Sequence, residues 1–219
     1  MALPDEARQS AGWLLSLTEG HTPETEEYGI SSFIYSARAP FHPEKIWNFF
    51  NMYWTVQEVV PGDESDEDGP GFEVCTQDRS DDIVKKKTTR LYSTFGQILR
   101  SKGFMWLKGR DDLHGELSQA GSILRISPGA PWFAAIPEEM WEGVDHEGIK
   151  KDMEGPCGDR RQEIVFIGIN MKRQVICDAL DACLCPGPVT RSTTDPFMQW
   201  PKLELVEISD SDDDMDEIL

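Results

Sequence analysis

The chain has 219 residues, 39% of them hydrophobic and seven of them Trp, which is ample for one ordinary domain with a sizeable core and room for tails. Its net charge of −19 sets it against nucleic acid and anionic membranes as partners. No run approaches the ~18 apolar residues of a spanning helix, the start Met1–Arg8 lacks a leader pattern, and an odd count of five cysteines points to a reducing, cytoplasmic setting.

Residues 1–29 hold the short apolar stretch Trp13-Leu14-Leu15 and then the polar run Glu19–Glu27, and read as an N-terminal arm or linker. A domain over 30–200 follows. Phe33 and Tyr35 alternate with Ser32, Ile34 and Ser36, which predicts a first strand over Ile30–Arg38, buried on both faces or at the centre of a sheet. Pro43 stands where a first helical residue belongs, with Glu44 in the turn that favours an acid. Ile46, Trp47, Phe50, Tyr53 and Trp54 then make one wide apolar stripe, and such a stripe is core. Residues 60–89 interrupt the domain. The acidic, Gly- and Pro-rich run 61–71 cannot pack, Lys85-Lys86-Lys87 balances it, and the whole is expected to be a disordered insertion.

Three strands are predicted next, over 98–108, 114–120 and 122–127, the last two joined tightly at Gly121. Pro137-Glu138-Glu139 carries the start signals of a second helix, and the β-branched run Glu163–Ile169 reads as a central strand. Arg173–Leu184 is the last helix, with Ile176, Leu180, Cys183 and Leu184 on one face, and residues 201–219 form an acidic tail expected to be disordered. Hairpin-linked strands with interspersed helices make an α+β fold: a mainly antiparallel sheet of about four to five strands with helices packed on one face.

Three segments stand out: Arg-Ala-Pro-Phe-His-Pro-Glu at 38–44, Arg-Ser-Lys-Gly-Phe-Met-Trp-Leu at 100–107, and Gly-Asp-Arg-Arg-Gln-Glu-Ile-Val-Phe-Ile-Gly at 158–168. Together and in this order they resemble the C-terminal domain of the CobW-type metallochaperone GTPase family, without its GTPase domain. The resemblance implies a layer of helices on an antiparallel sheet. It also implies that GTP, Mg and Zn or Co belong to the full-length family members, whose GTPase half carries a Cys-x-Cys-Cys motif. Phosphate cradling needs Gly-x-x-x-x-Gly-Lys-Ser/Thr, and the nearest string here, Gly96–Gly103, runs on into Phe104. No cofactor and no enzymatic activity are therefore expected of this chain. The expectation is a non-catalytic module that recognises a protein partner, a GTPase domain or a metalloprotein client. The alternatives are a truncated copy of a full GTP-hydrolysing metallochaperone, or an autonomous metal-binding protein using cysteines.

Cys183 and Cys185 are the candidates for that last role, because thiolates suit Zn²⁺ or Cu(I). Against it, Cys183 lies in Leu180-Asp181-Ala182-Cys183-Leu184, a string the family commonly shows, and on a helix Cys177 and Cys183 would point about 120° apart. The four histidines, His21, His42, His114 and His146, are isolated along the chain. The remaining candidates are cationic: Arg100 and Lys102, two apart on one strand face, and Arg160 and Arg161 leading into the central strand. In so acidic a chain they suggest docking of an acidic partner surface, weighed against an ordinary solvated face. Ser65, Ser209 and Ser211 stand among acidic residues and are candidate phosphosites.

Overall fold

The computed structural model describes residues 29–61, 72–76, 80–141, 143–153, 155–185, 195–201 and 203. The arm before them, the acidic stretch with Ser65 and the tail with Ser209 and Ser211 lie outside the described residues.

Among the described residues seven strands make one sheet: β1 Ile30–Ala37, β2 Thr55–Pro61, β3 Phe72–Thr76, β4 Gln97–Leu107, β5 Arg110–Ala120, β6 Ile123–Pro131 and β7 Gln162–Ile169. Their spatial order is β1-β7-β4-β5-β6-β2-β3, with every pair antiparallel except the parallel β2–β6. Four described helices accompany them: α1 Pro43–Tyr53, α2 Asp81–Phe95, α3 His146–Asp152 and α4 Arg173–Asp181. The fold is α+β, as the order of predicted elements requires, with more strands than expected.

Period-two alternation sorts the strand side chains onto two faces. In register across the sheet, Tyr35, Ile164, Leu117, Ile126 and Met105 turn to one side, and there they meet Ile46 and Phe50 of α1, Leu91 and Phe95 of α2, and Ile176 and Leu180 of α4. Pro43 opens α1 and Glu44 sits in its first turn, and Ile46 and Phe50 are buried as the stripe predicts.

Four expectations need correction. The insertion does not extend to 89: Phe72–Thr76 pairs with β2, and Asp81–Phe95 is a helix whose Leu91 and Phe95 close the core. Its polar outer side reads as loop composition, whereas burial of one apolar edge decides its structure. Among the described strands β1 is at the sheet edge rather than the centre, paired on one side with β7, and its Ile34 is 38% exposed. Pro137-Glu138-Glu139 opens only a 3₁₀ turn, Glu138–Met140, and the helix comes later at α3. The last helix ends at Asp181, where the bonds Cys183 N–H to Leu180 O and Leu184 N–H to Asp181 O tighten it into a turn.

Beyond α4 the chain returns over the core. Phe197 and Trp200 are buried, the Trp47 ring stands edge-on to Phe197 at 5.4 Å, and Trp200 Nε1 donates to Glu58 Oε1 at 2.7 Å. Burial pushes the Glu58 carboxyl above its ordinary pKa range. Arg110 ties the same segment down through Asp195 at 2.8 Å and through the Phe197 carbonyl.

Candidate functional site

The three sequence motifs converge on one buried side chain. Gln162 Nε2 donates to Ala39 O at 2.9 Å and to Trp106 O at 2.8 Å, while its Oε1 accepts from Trp106 N–H at 3.0 Å. Ala39 belongs to the first motif, Trp106 to the second and Gln162 to the third. Around this node Phe41 exchanges backbone bonds with β4, its N–H to Trp106 O and its carbonyl from Lys108 N–H, both at 2.9 Å, and Arg38 donates to Gly158 O at 2.9 Å. Gly103 is required by the same closeness, since a Cβ there would lie 2.0 Å from Glu163 O and 2.7 Å from Ile164 Cα. The motifs are thus framework, and their conformation leaves function to the surfaces they hold.

The cysteines share that framework role. Cys183 is buried, its thiol donates to Ala179 O at 3.4 Å, and burial pushes its pKa up to about 11. Its carbonyl accepts from His42 N–H, and Cys185 N–H donates to Pro40 O, so the segment pins the first motif from below. A thiol held protonated is a poor metal ligand. Among the described residues no three of His, Cys, Asp and Glu come together as a metal-holding group.

The sheet face turned away from α1, α2 and α4 has a different character. Arg100 and Lys102 of β4 lie there beside Val165 and Ile167 of β7, across from Ala120 and Ser118 of β5. Ser118 in turn pairs with Arg125 of β6. Ser118 on β5 lies at the floor of a shallow groove of about 390 Å³, with Lys102 and Arg125 on its two sides and Val59, Phe104, Glu116 and Ser127 also in its lining. Arg100, Lys102 and Arg125 are exposed. Arg125 Nε is held by Gln57 Oε1 at 3.1 Å, whereas no hydrogen bond or ion pair engages Arg100 or Lys102 among the described residues.

The structure separates these cations from the other two. Arg160 donates to Asp111 O at 2.7 Å and to Cys157 O at 3.1 Å. Arg161 pairs with Glu163 at 2.9 Å and Asp152 at 3.3 Å, donates to Asp159 O, and places its guanidinium 5.1 Å from the Phe104 ring centre. Both hold the segment from Trp132 to Arg161 against one end of the open face. Asp159 anchors it further by accepting from the N–H groups of Phe133 and Ala134, each at 3.0 Å. Beneath lies a cavity of about 470 Å³, floored by Phe104, His114 and Trp132. The His114 ring meets both aromatics at an angle, tilted against Phe104 and edge-on to Trp132, and burial holds its pKa below the ordinary imidazole value. Arg125 is the groove residue that sequence reasoning missed. Its signal was present, since it alternates with the buried Leu124 and Ile126, but only the β5–β6 register sets it across from Lys102.

Residues 74–184 match the family model for the cobalamin synthesis protein CobW C-terminal domain. Over 197 residues the chain is 32% identical to the zinc-regulated GTPase metalloprotein activator 1 of Dictyostelium discoideum, spanning 89% of this chain and 34% of that one. Among solved structures, it is similar to the Zn(II)-bound YjiA GTPase of E. coli, at a TM-score of 0.40 and 13% identity over 76% of this chain and 33% of that one. A Zn(II)-bound triple mutant of YjiA gives a TM-score of 0.39 at the same identity, over 77% and 34% of the two chains. The chain spans about a third of the length of these relatives, and it belongs to the CobW C-terminal domain family.

Proposed function

We propose that this chain is a non-catalytic docking module of GTP-driven metal delivery, and that its open sheet face receives an acidic surface of a protein partner. The observation that carries this reading is the contrast between the two faces. Three described helices cover one, while the other displays Arg100 and Lys102 without ion-pair partners among the described residues, beside the apolar Val165, Ile167 and Ile123. Exposed cations beside small residues favour an acidic, complementary surface, and such charge steers association more than it adds to affinity. The relative of 32% identity, named as a GTPase metalloprotein activator and about three times as long, supports a GTPase region or its metalloprotein client as that partner.

The test is capture of partners by the wild-type chain and by R100E/K102E, identified by mass spectrometry. The double charge reversal is expected to remove the partner while far-UV circular dichroism stays unchanged, because both side chains are exposed. Retention of every partner at wild-type affinity would reduce these cations to a solvated face. The non-catalytic part is tested apart from this, by calorimetric titration of GTP with Mg²⁺. No binding is expected, since the Gly-x-x-x-x-Gly-Lys-Ser/Thr string is missing from the 219 residues, and micromolar affinity would overturn it.

A further inference from the structure

The open face does not end at its cations. Arg100, Lys102 and Phe104 alternate along β4 with Ser101 and Met105, which are buried on the other side, so the first three share the open face. Lys102 and Phe104 line the shallow groove, and Phe104 also lines the cavity of about 470 Å³ beside it, so groove and cavity adjoin. That volume falls within the roughly 300–1,000 Å³ of sites that take small ligands. Its walls are largely apolar, from Phe104, Trp132, Phe133 and Ile149. Val144, 41% exposed, and the exposed Ala130 also stand in the lining, which opens the cavity to solvent. Trp132 is 3% exposed, and its Nε1–H is buried with no acceptor among the described residues. A buried donor of this kind is relieved by an oxygen brought to it.

Charge selects what enters. Asp145, Asp152 and Asp159 line the cavity against Arg161, which is already paired with Asp152 and Glu163. Glu116, opposite Phe104 in the β4–β5 register, adds a negative charge at the same level. A carboxylate is therefore disfavoured in the cavity, whereas a neutral ring with a polar tip suits both its walls and its unpaired donor. Lys102 and Arg100 favour carboxylates, and they stand roughly 7 and 13 Å from Phe104 at the usual strand rise. An extended partner has the same rise, so its positions two and four residues from the ring fall over those cations.

We propose that this cavity is the socket for a tyrosine-type side chain of the docking partner, and that the same extended segment carries carboxylates two and four residues away, over Lys102 and Arg100. The proposal rests on the reading of the open face as the docking surface, and it names what that surface recognises. A ring seated in a pocket with charges at the rim is also how binding energy is commonly distributed across interfaces.

Titration of the ¹⁵N-labelled chain with acetyl-Tyr-Gly-Glu-Gly-Glu-amide, and with the peptide of reversed order, tests it by proton–nitrogen correlation spectra. With the tighter binder, the amide signals of Phe133, Gly148 and Ile149 at the cavity and of Lys102 on β4 are expected to move along one binding curve, while those of Ile176 and Leu180 in α4 hold still. Gly in place of the Tyr should weaken binding about tenfold or more. Gln in place of both Glu residues should weaken it about fivefold at low salt. Ala130→Phe and, independently, Val144→Trp put a ring of the chain's own at the cavity from exposed positions, and in them the Tyr and Gly peptides should bind alike. Equal affinity of the two peptides for the wild-type chain would overturn the proposal. So would unmoved Phe133 and Gly148 signals at millimolar peptide, or undiminished Tyr-peptide affinity in both blocked variants. Failure here is separable from failure of the docking reading. If the ring contributes nothing yet R100E/K102E loses its partner, only this inference falls; if the ring is seated while R100E/K102E keeps every partner at wild-type affinity, the docking reading falls and the socket stands.

Discussion

Gln162 shows how one side chain can carry a fold. Its amide satisfies a carbonyl on the loop before α1 and both the N–H and the carbonyl of Trp106, all away from water. Replacing it with Leu leaves at least the Trp106 N–H and the Ala39 carbonyl without protein partners. At about 1–3 kcal/mol for each buried group left unsatisfied, Gln162→Leu is expected to cost about 3 kcal/mol, read as a lower denaturant midpoint with an unchanged slope. A loss under about 1 kcal/mol would mean that water reaches the node. Gly103 obeys the same closeness from the other side, since its missing Cβ makes room for the Glu163 carbonyl. Both residues were visible as motif letters. Their jobs were not, because a hydrogen bond spanning 123 residues leaves no local pattern.

Among the elements, α1 was the most legible and behaves accordingly. Pro43, Glu44 and the apolar spacing set its start and its buried side, and its aromatic rings interlock with α2, with Tyr53 and Phe95 at 4.7 Å. Trp47 extends that stripe to the returning segment, meeting Phe197 edge-on. Trp47→Ala is expected to cost about 3 kcal/mol, the low end for losing a large core aromatic since Trp47 is only half-buried. It should also speed proteolysis within 195–203 relative to α4. Wild-type stability together with wild-type cleavage would show that the ring contributes nothing to holding that segment. α2 was the element least legible. Its polar composition and the basic Lys85-Lys86-Lys87 read as insertion, whereas the tertiary core takes only its Leu91 and Phe95 edge.

At the scale of the whole molecule, the sheet divides labour between its faces. One side is the hydrophobic core that three helices close, and the other is a cationic, weakly apolar surface on a molecule of net charge −19. An acidic protein that exposes cations on one face has its long-range repulsion set by the total and its short-range docking set by the patch. The Trp132–Arg161 segment limits that patch at one end, with Arg161 and Asp159 spent on holding it. The four cations that clustered in sequence near the motifs therefore divide into an open pair and a structural pair, and Arg125 joins the open pair instead.

The α+β class, the positions of α1, β4, β5, β6 and β7, and family membership were determined by the sequence itself, because each rests on local periodicity, on turn signals or on motif strings. The tertiary structure alone decided that β1 is an edge, that β2 adds in parallel to β6, and that Phe197 and Trp200 return to the core. It also decided which cations remain open to a partner. These are matters of pairing between distant segments: an alternating strand looks the same whether its neighbour is another strand or water, and an arginine looks the same whether a carbonyl across the fold engages it or not. Such choices are settled by which backbone and apolar groups must be satisfied together when the sheet closes.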